Sequence, residues 1–290
     1  MLSYRHGFHA GNFADVLKHS LLTLAVNALK RKDKPFVYID THAGAGKYSF
    51  KSEFAQKTAE YQQGIGRLWN AGPAPSELHD YLAAVRAENT GRQLVRYPGS
   101  PQLVRRLVRP QDRLLLSELH SSDFEVLREL FAGDKQVSVA KEDGLQLLSK
   151  KLPPIQKRGL ILIDPSYEMR DETKKIIAAL TTAYQHFATG VYALWYPVIE
   201  RAATESFMQK LVKTNIPRQL RIEFCPEADA FGHGMTGSGM LFINPPWQLD
   251  DQAQTILPYL NQVLADGRGS WKVDWQVPEM AAAASRAGHD

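Results

Sequence analysis

The chain is poor in cysteine: Cys225 stands alone among 290 residues. A single thiol excludes an internal disulfide framework and a cysteine-based zinc site. Such sparing use makes a reducing cytoplasm the expected setting. No apolar run approaches the ~20 residues of a membrane span, and the opening residues lack a signal-peptide core, so no membrane association is expected. Internal repeats are absent. Charge is nearly balanced too: 35 Lys and Arg against 31 Asp and Glu leave a net +4, which permits a nucleic-acid partner without demanding one. What remains is globular material. At 44% hydrophobic and 23% charged residues, the chain has enough apolar content for one elaborated domain or two small ones, and disorder is excluded as the main state.

Residues 12–30 place Val16, Leu17, Leu21, Leu24 and Leu29 at helical spacing, with Asn12 at the N-cap position and Lys30, Arg31 and Lys32 at the negative end. A short apolar run ending at Asp40 and a glycine-rich turn read as a strand entering a tight loop. Residues 47–97 differ: two helical patterns, 53–70 and 76–89, flank a Pro/Gly stretch with no strand of comparable strength. They suggest an inserted helical subdomain. Strand-like runs at 114–119, 137–143, 159–164 and 191–197 then alternate with helical patterns at 121–132, 144–151 and 171–187. This alternation predicts an α/β fold with a parallel sheet and crossover helices. Runs at 220–226 and 238–246 would close the sheet as an antiparallel pair. The residues after 279 read as a disordered tail.

The loop Asp40-Thr41-His42-Ala43-Gly44-Ala45-Gly46 sits where open α/β sheets bind ligands, beyond a strand's carboxyl end. A phosphate-binding Walker loop would need glycine at 41 and serine or threonine at 48, where Thr41 and Tyr48 stand. A dinucleotide fingerprint fails at Ser49. An acidic-x-x-x-Gly-x-Gly loop of the kind used by S-adenosylmethionine enzymes fits throughout, with an ordinary strand-end turn as the alternative. Asp164-Pro165-Ser166-Tyr167 follows another apolar strand. The exocyclic amine of adenine is a poor nucleophile because its lone pair is delocalised into the ring. A site that methylates it must accept both amine hydrogens. The Asp164 carboxylate and the Pro165 carbonyl are candidates for those acceptors, aimed at charge that develops in the transition state. Tyr167 can stack on the base. Alternatively, Asp164 caps the following helix and Tyr167 is core.

Together the two loops resemble the S-adenosylmethionine-dependent N6-adenine methyltransferases, with Ser166 replacing the usual second proline. The resemblance extends to Tyr4-Arg5-His6, Phe8 to Asn12, Ala14 to His19, Tyr97 to Pro101, Glu118-Leu119-His120 and Tyr192 to Pro197. On these segments the chain resembles the bacterial 23S ribosomal RNA adenine-N6 methyltransferases over nearly its whole length to Glu279, insertion included. The resemblance implies a Rossmann-like class I methyltransferase fold, residues 1–46 and 98–279 forming that domain and 47–97 the insertion. It implies S-adenosylmethionine as cofactor, held by His19, His42, Ser100, Glu118, Asp143, Gly144 and Asp164, to which the glycine-loop reading adds Gly44. Asp164 would also be catalytic, and Tyr4 would touch the RNA.

Two of these residues have an independent rationale. Glu118, at the second strand's end, suits ribose hydroxyls, and Asp143, at the third strand's end, suits the cofactor's adenine amine. His42 and Ser100 rest on the resemblance alone. Lys18 or His19 can meet the cofactor's carboxylate; a solvated helix face is the alternative. His6 and His9 lack a third ligand, so no metal is expected. Arg5, Arg105, Arg106, Arg109, Lys150, Lys151, Lys157 and Arg158 are candidates for phosphate contacts or plain wet surface.

The reaction expected is methyl transfer to N6 of an adenine in 23S rRNA by direct in-line displacement, with RNA free or in an early assembly intermediate. Cys225 lies outside any Pro-Cys motif, which disfavours cytosine chemistry. The rival readings are methylation of a protein glutamine amide and a non-catalytic RNA-binding module. With no heptad seam, a monomer is expected.

Overall fold

The computed structural model of the protein describes residues 6–169, 171–229 and 234–278. Helix α1 (Phe13–Lys30) begins where Asn12 accepts the Asp15 amide at 3.0 Å, satisfying a first-turn donor. The strand β1 (Val37–Asp40) that follows is buried at every residue, as a strand covered on both faces must be. The insertion then runs through β2 (Lys47–Ser49), α2 (Glu53–Thr58), α3 (Ile65–Trp69), α4 (His79–Ala87) and β3 (Arg96–Pro98). Beyond it come α5 (Ser100–Leu107), β4 (Arg113–Ser117), α6 (Ser121–Leu130), β5 (Val137–Ala140), α7 (Gly144–Lys151), β6 (Gly159–Ile163), α8 (Glu172–His186) and β7 (Val191–Val198). The last elements are α9 (Arg201–Val212), β8 (Gln219–Cys225), β9 (Gly237–Ile243), α10 (Leu249–Ala265) and β10 (Ser270–Val277).

Eight strands form one sheet in the order β10-β8-β9-β7-β6-β1-β4-β5. β5, β4, β1, β6 and β7 are mutually parallel, whereas β9 runs antiparallel between β7 and β8. Helices α1, α5 and α10 cover one face, sharing one apolar cluster; α7, α8 and α9 cover the other with a second cluster. This is the expected doubly wound, Rossmann-like arrangement. The chain leaves β1 toward β4 and β5, then returns to β6 on the opposite side of β1. A crevice therefore opens above the carboxyl ends of β1 and β6. No helix among the described residues is long and apolar enough to cross a membrane.

Several expectations need correction. Residues 47–97 do contain strands: β2 and β3 pair antiparallel at the base of the insertion, three residues each, too short to leave a periodic signal. The 53–70 helical pattern is interrupted, because Ala59 adopts the left-handed region at φ +52 and ends α2. β4 and β5 stop at Ser117 and Ala140, so Glu118 and Asp143 lie in the turns beyond. The sequence expectations omit α5, α9 and α10, the last with an internal Pro258 that argues against a helix, and the antiparallel edge strand β10. Tyr4, Arg5 and the tail at 280–290 lie outside the described residues.

The insertion is seated against the start of α1. The Ile65 amide donates to the Gly11 carbonyl at 2.8 Å, and a Cβ on Gly64 would stand 2.1 Å from that oxygen. Tyr81, Leu82 and Val85 of α4 join the apolar cluster beneath α1. Gly64→Ala is therefore expected to cost about 1–3 kcal/mol through backbone overpacking, seen as a Tm several degrees lower in thermal denaturation. An unchanged Tm would show that the seat yields freely.

Candidate active site

A cleft of about 430 Å³ opens at the carboxyl ends of the parallel strands. The loop after β1 shapes its floor. Gly44 and Gly46 sit at φ +59 and +74, and a Cβ on Gly44 would meet the Tyr48 hydroxyl at 2.4 Å. Both positions therefore require glycine. Glu118 braces this loop: its carboxylate accepts the Gly44 amide at 2.8 Å and the His120 amide at 2.6 Å. Burial raises its pKa against the pull of those two amides. Asp40 is wholly buried and accepts hydroxyls from Tyr38 and Ser100, each at 2.7 Å. Desolvation pushes it up to about 6 despite those bonds.

Asp143 caps α7, accepting the Leu145 and Gln146 amides at 2.9 and 3.3 Å through Oδ1. Gly144 is needed for close approach, since a Cβ there would fall 1.9 Å from the Thr41 carbonyl oxygen. The His42 Nδ1 pairs with the Thr41 hydroxyl at 2.7 Å, and burial lowers the pKa of the ring.

The other wall holds the charge. Lys18 is only 3% exposed, and its ammonium lies 2.9 Å from Asp15 and 2.6 Å from Asp164, which joins α1 to the turn after β6. Burial pulls Lys18 down, but the two carboxylates outweigh it and the pKa ends raised. Asp15 also accepts His6 Nε2 at 2.8 Å and the Gly11 amide at 2.9 Å. Its own pKa is well lowered, the desolvation penalty being overcome by His6 and Lys18. The Tyr167 hydroxyl donates to the Trp195 carbonyl at 2.7 Å, and its ring meets Trp195 and Phe207 edge-on. The Lys18 ammonium also stands 5.6 Å from the centroid of Trp195.

Lys18, His19, His42, Gly44, Ser100, Glu118, Asp143, Gly144, Asp164, Pro165 and Tyr167 all line this one cleft. Tyr4 lies outside the described residues. The alternative of a solvated helix face for Lys18 and His19 is overturned: both are buried, and Lys18 is turned onto carboxylates. Asp164 is no helix cap, because α8 starts at Glu172 after Asp171. His6 and His9 are drawn to different carboxylates, Asp15 and Glu60.

Several basic candidates have structural partners. Arg109 and Arg158 bind carbonyls of the last turn of α1 and of the α1–β1 connection at the sheet's amino edge, away from the cleft. Arg105 and Arg106 pair with Asp134 and Glu88, and Lys150 with Glu142. Cys225 is buried in β8, where burial pushes its thiol up to about 11, against nucleophilic use.

Asp15, Tyr97 and Trp195 are functional candidates that motif reasoning did not single out. Asp15 carried one signal: a carboxylate in an apolar helix, three residues before a lysine, needs a cation.

A family model described as ribosomal RNA large subunit methyltransferase D, RlmJ, matches residues 33–277. The ribosomal RNA large subunit methyltransferase J of Escherichia coli is 49% identical over 280 residues, covering 96% of this chain and all of that protein. Its Haemophilus influenzae namesake is 47% identical over 281 residues, with the same coverage. The crystal structure of a Legionella pneumophila protein, 39% identical, superposes with a TM-score of 0.86 over 92% of this chain and 98% of that one.

Asp40 provides a pH test of the site's framework. Its carboxyl titrates near 6 in the fold and near 3.8 when unfolded, so between those values only the folded chain keeps the proton. Stability from this group is full below about pH 4 and lost as pH rises through about 6, on the order of 3 kcal/mol. Asp40→Asn retains an acceptor for Ser100 and Tyr38 without the titration. The stability difference between wild type and this variant should shift in favour of wild type from pH 7 to pH 4. Urea denaturation at intervals of one pH unit measures it, and parallel curves would refute the burial argument.

Proposed function

The chain belongs to the family of ribosomal RNA large subunit methyltransferases described by the RlmJ model, and from that premise we propose that it methylates N6 of an adenine in 23S rRNA. S-adenosylmethionine is the methyl donor, supplying when bound an electrophilic methyl on a sulfonium for direct in-line displacement. The donor set fits such a ligand. Gly44 keeps the floor open, Glu118 and Asp143 present carboxylates from the turns beyond β4 and β5, and His19 Nε2 is buried without a protein partner.

The observation that carries the reading is the Lys18–Asp164 pair at 2.6 Å, at the mouth of the switch-point crevice. An acid placed there without a fixed cation would swing. Lys18 holds Oδ2, which leaves Oδ1 to accept one amine hydrogen, and the carbonyl of Pro165, the next residue and also in the lining, is the candidate for the other. Hydrogen bonds to both hydrogens draw the nitrogen lone pair out of conjugation as it attacks, where preorganised acceptors act most strongly. Lys18 is thus a positioning residue for Asp164, and the cofactor's carboxylate falls to another donor. Tyr167, fixed by its bond to Trp195, offers a face for stacking on the base. The adenine must leave its helix to enter, which favours a loop, bulge or unfolded RNA, free or in an early assembly intermediate. The protein acts as a cytoplasmic monomer.

Asp164→Asn and Asp164→Ala should lower methyl transfer by about 10²–10³-fold, while S-adenosylhomocysteine binding, though weakened, stays measurable. The assay is labelled S-adenosylmethionine with 23S rRNA fragments, followed by nucleoside analysis for N6-methyladenine. Label in protein with RNA absent would point to glutamine methylation. RNA binding with no transfer at all would point to a non-catalytic module.

A further inference from the structure

Three aromatic groups run inward from the cleft to the insertion. His19 of α1 lies 2.8 Å through Nδ1 from the hydroxyl of Tyr97 in β3, and that hydroxyl lies 3.0 Å from the hydroxyl of Tyr81 in α4. The His19 and Tyr97 rings stack, with centroids 5.5 Å apart and planes inclined by 25°. Both tyrosines are fully buried and His19 is 1% exposed. The far nitrogen of the imidazole, Nε2, is buried and has no partner in the protein, on a residue that lines the cleft.

Counting hydrogens decides how this chain is ordered. The imidazole is neutral, since burial lowers His19 to about 3, so it carries one N–H. If that hydrogen is on Nδ1, it fills the bond to Tyr97. One tyrosine hydrogen then fills the Tyr97–Tyr81 bond, and the other is left buried with no acceptor. If it is on Nε2, Tyr81 donates to Tyr97 and Tyr97 donates to Nδ1, so both phenolic hydrogens are used. Only the second order leaves no orphaned hydroxyl in the core. The single donor still unmet is then Nε2–H, buried on a residue that lines the cleft.

We infer that Tyr97 and Tyr81 are positioning residues that lock His19 as its Nε2–H tautomer, so that it offers a neutral hydrogen-bond donor to the carboxylate of the cofactor's amino-acid end. The assignment of that ligand rests on the proposed function. The charge around the cleft favours this choice of acceptor. The Lys18 ammonium is engaged by Asp15 and Asp164, and Lys175 at the rim pairs with Asp171. Asp15, one turn before His19 on α1, already accepts from His6, Gly11 and Lys18. A ligand carboxylate is therefore met by a donor whose direction is fixed from the insertion.

The test has two parts. Nitrogen-15 spectra of the histidine-labelled full chain, with His19 assigned by difference against His19→Gln, read the tautomer in ligand-free protein. Wild type should show a protonated Nε2 and an unprotonated Nδ1 between pH 6 and 8. A protonated Nδ1 would overturn the relay. Tyr97→Phe should shift population toward the Nδ1–H form, and Tyr81→Phe should do so more weakly. Calorimetry then compares S-adenosylhomocysteine with 5′-methylthioadenosine, which lacks the amino-acid end. Tyr97→Phe should weaken the first on the order of fivefold and leave the second unchanged. Equal losses for both ligands would mean a merely structural role and overturn the proposal. The tautomer is read without ligand, so it judges the relay even if methyl transfer to RNA fails.

Discussion

An ammonium locked between two carboxylates inside the protein is the constraint on which the site depends. Lys18 joins Asp15 of its own helix to Asp164, 146 residues away in sequence, across the top of the sheet. A buried charge is tolerated only when paired and hydrogen-bonded, so removing any one member leaves another exposed to a large desolvation penalty. This coupling makes helix α1 more than a cover for the sheet. It ties the first helix of the fold to the turn after β6, where the geometry of a reacting group matters most.

The insertion bears on the same helix. Gly64 and Ile65 press against the backbone of Gly11 at the helix entrance, and Tyr81 and Tyr97 reach His19 one turn beyond Asp15. Because α1 is held at its entrance and along its buried face, Lys18 and His19 line the cleft with little freedom left to lose. Strands β2 and β3, three residues apiece, are enough to return the chain to the sheet so that Ser100 can meet Asp40.

Much of this was legible in sequence, for identifiable reasons. Helix α1, the parallel strands and helices α6 to α8 announced themselves through periodicity and capping, and their limits agree closely with the patterns. Strand-end logic pointed the Asp40 loop and the Asp164 turn toward one crevice, and it gave Glu118 and Asp143, named by the resemblance, an independent reason to be there. Local signals failed where tertiary structure overrides them. Pro258 is accommodated within α10, Ala59 enters a left-handed conformation that its type disfavours, and β10 forms only because β8 offers an edge. The partner of Lys18 was unreadable because no pattern spans 146 residues. His42 and Ser100 stood on resemblance alone; the structure gives each a partner within the protein, Thr41 and the buried Asp40, and their role toward the cofactor rests on the proposed function.

The balance of charge suits the ligand proposed. Lys18 faces two carboxylates, Asp15 and Asp164, and His19, with its low pKa, adds no positive charge. Two like unit charges 4 Å apart repel by about 4 kcal/mol at an effective dielectric near 20. An unpaired lysine facing a sulfonium would therefore oppose binding, whereas a lysine spent on two acids fixes their positions and leaves the cleft receptive to a cation. A neutral imidazole follows the same rule, serving a carboxylate without adding positive charge beside the methyl group. The cleft thus separates two tasks that one free lysine would confuse: orienting the acid that receives the amine, and binding the end of a ligand that carries both signs of charge.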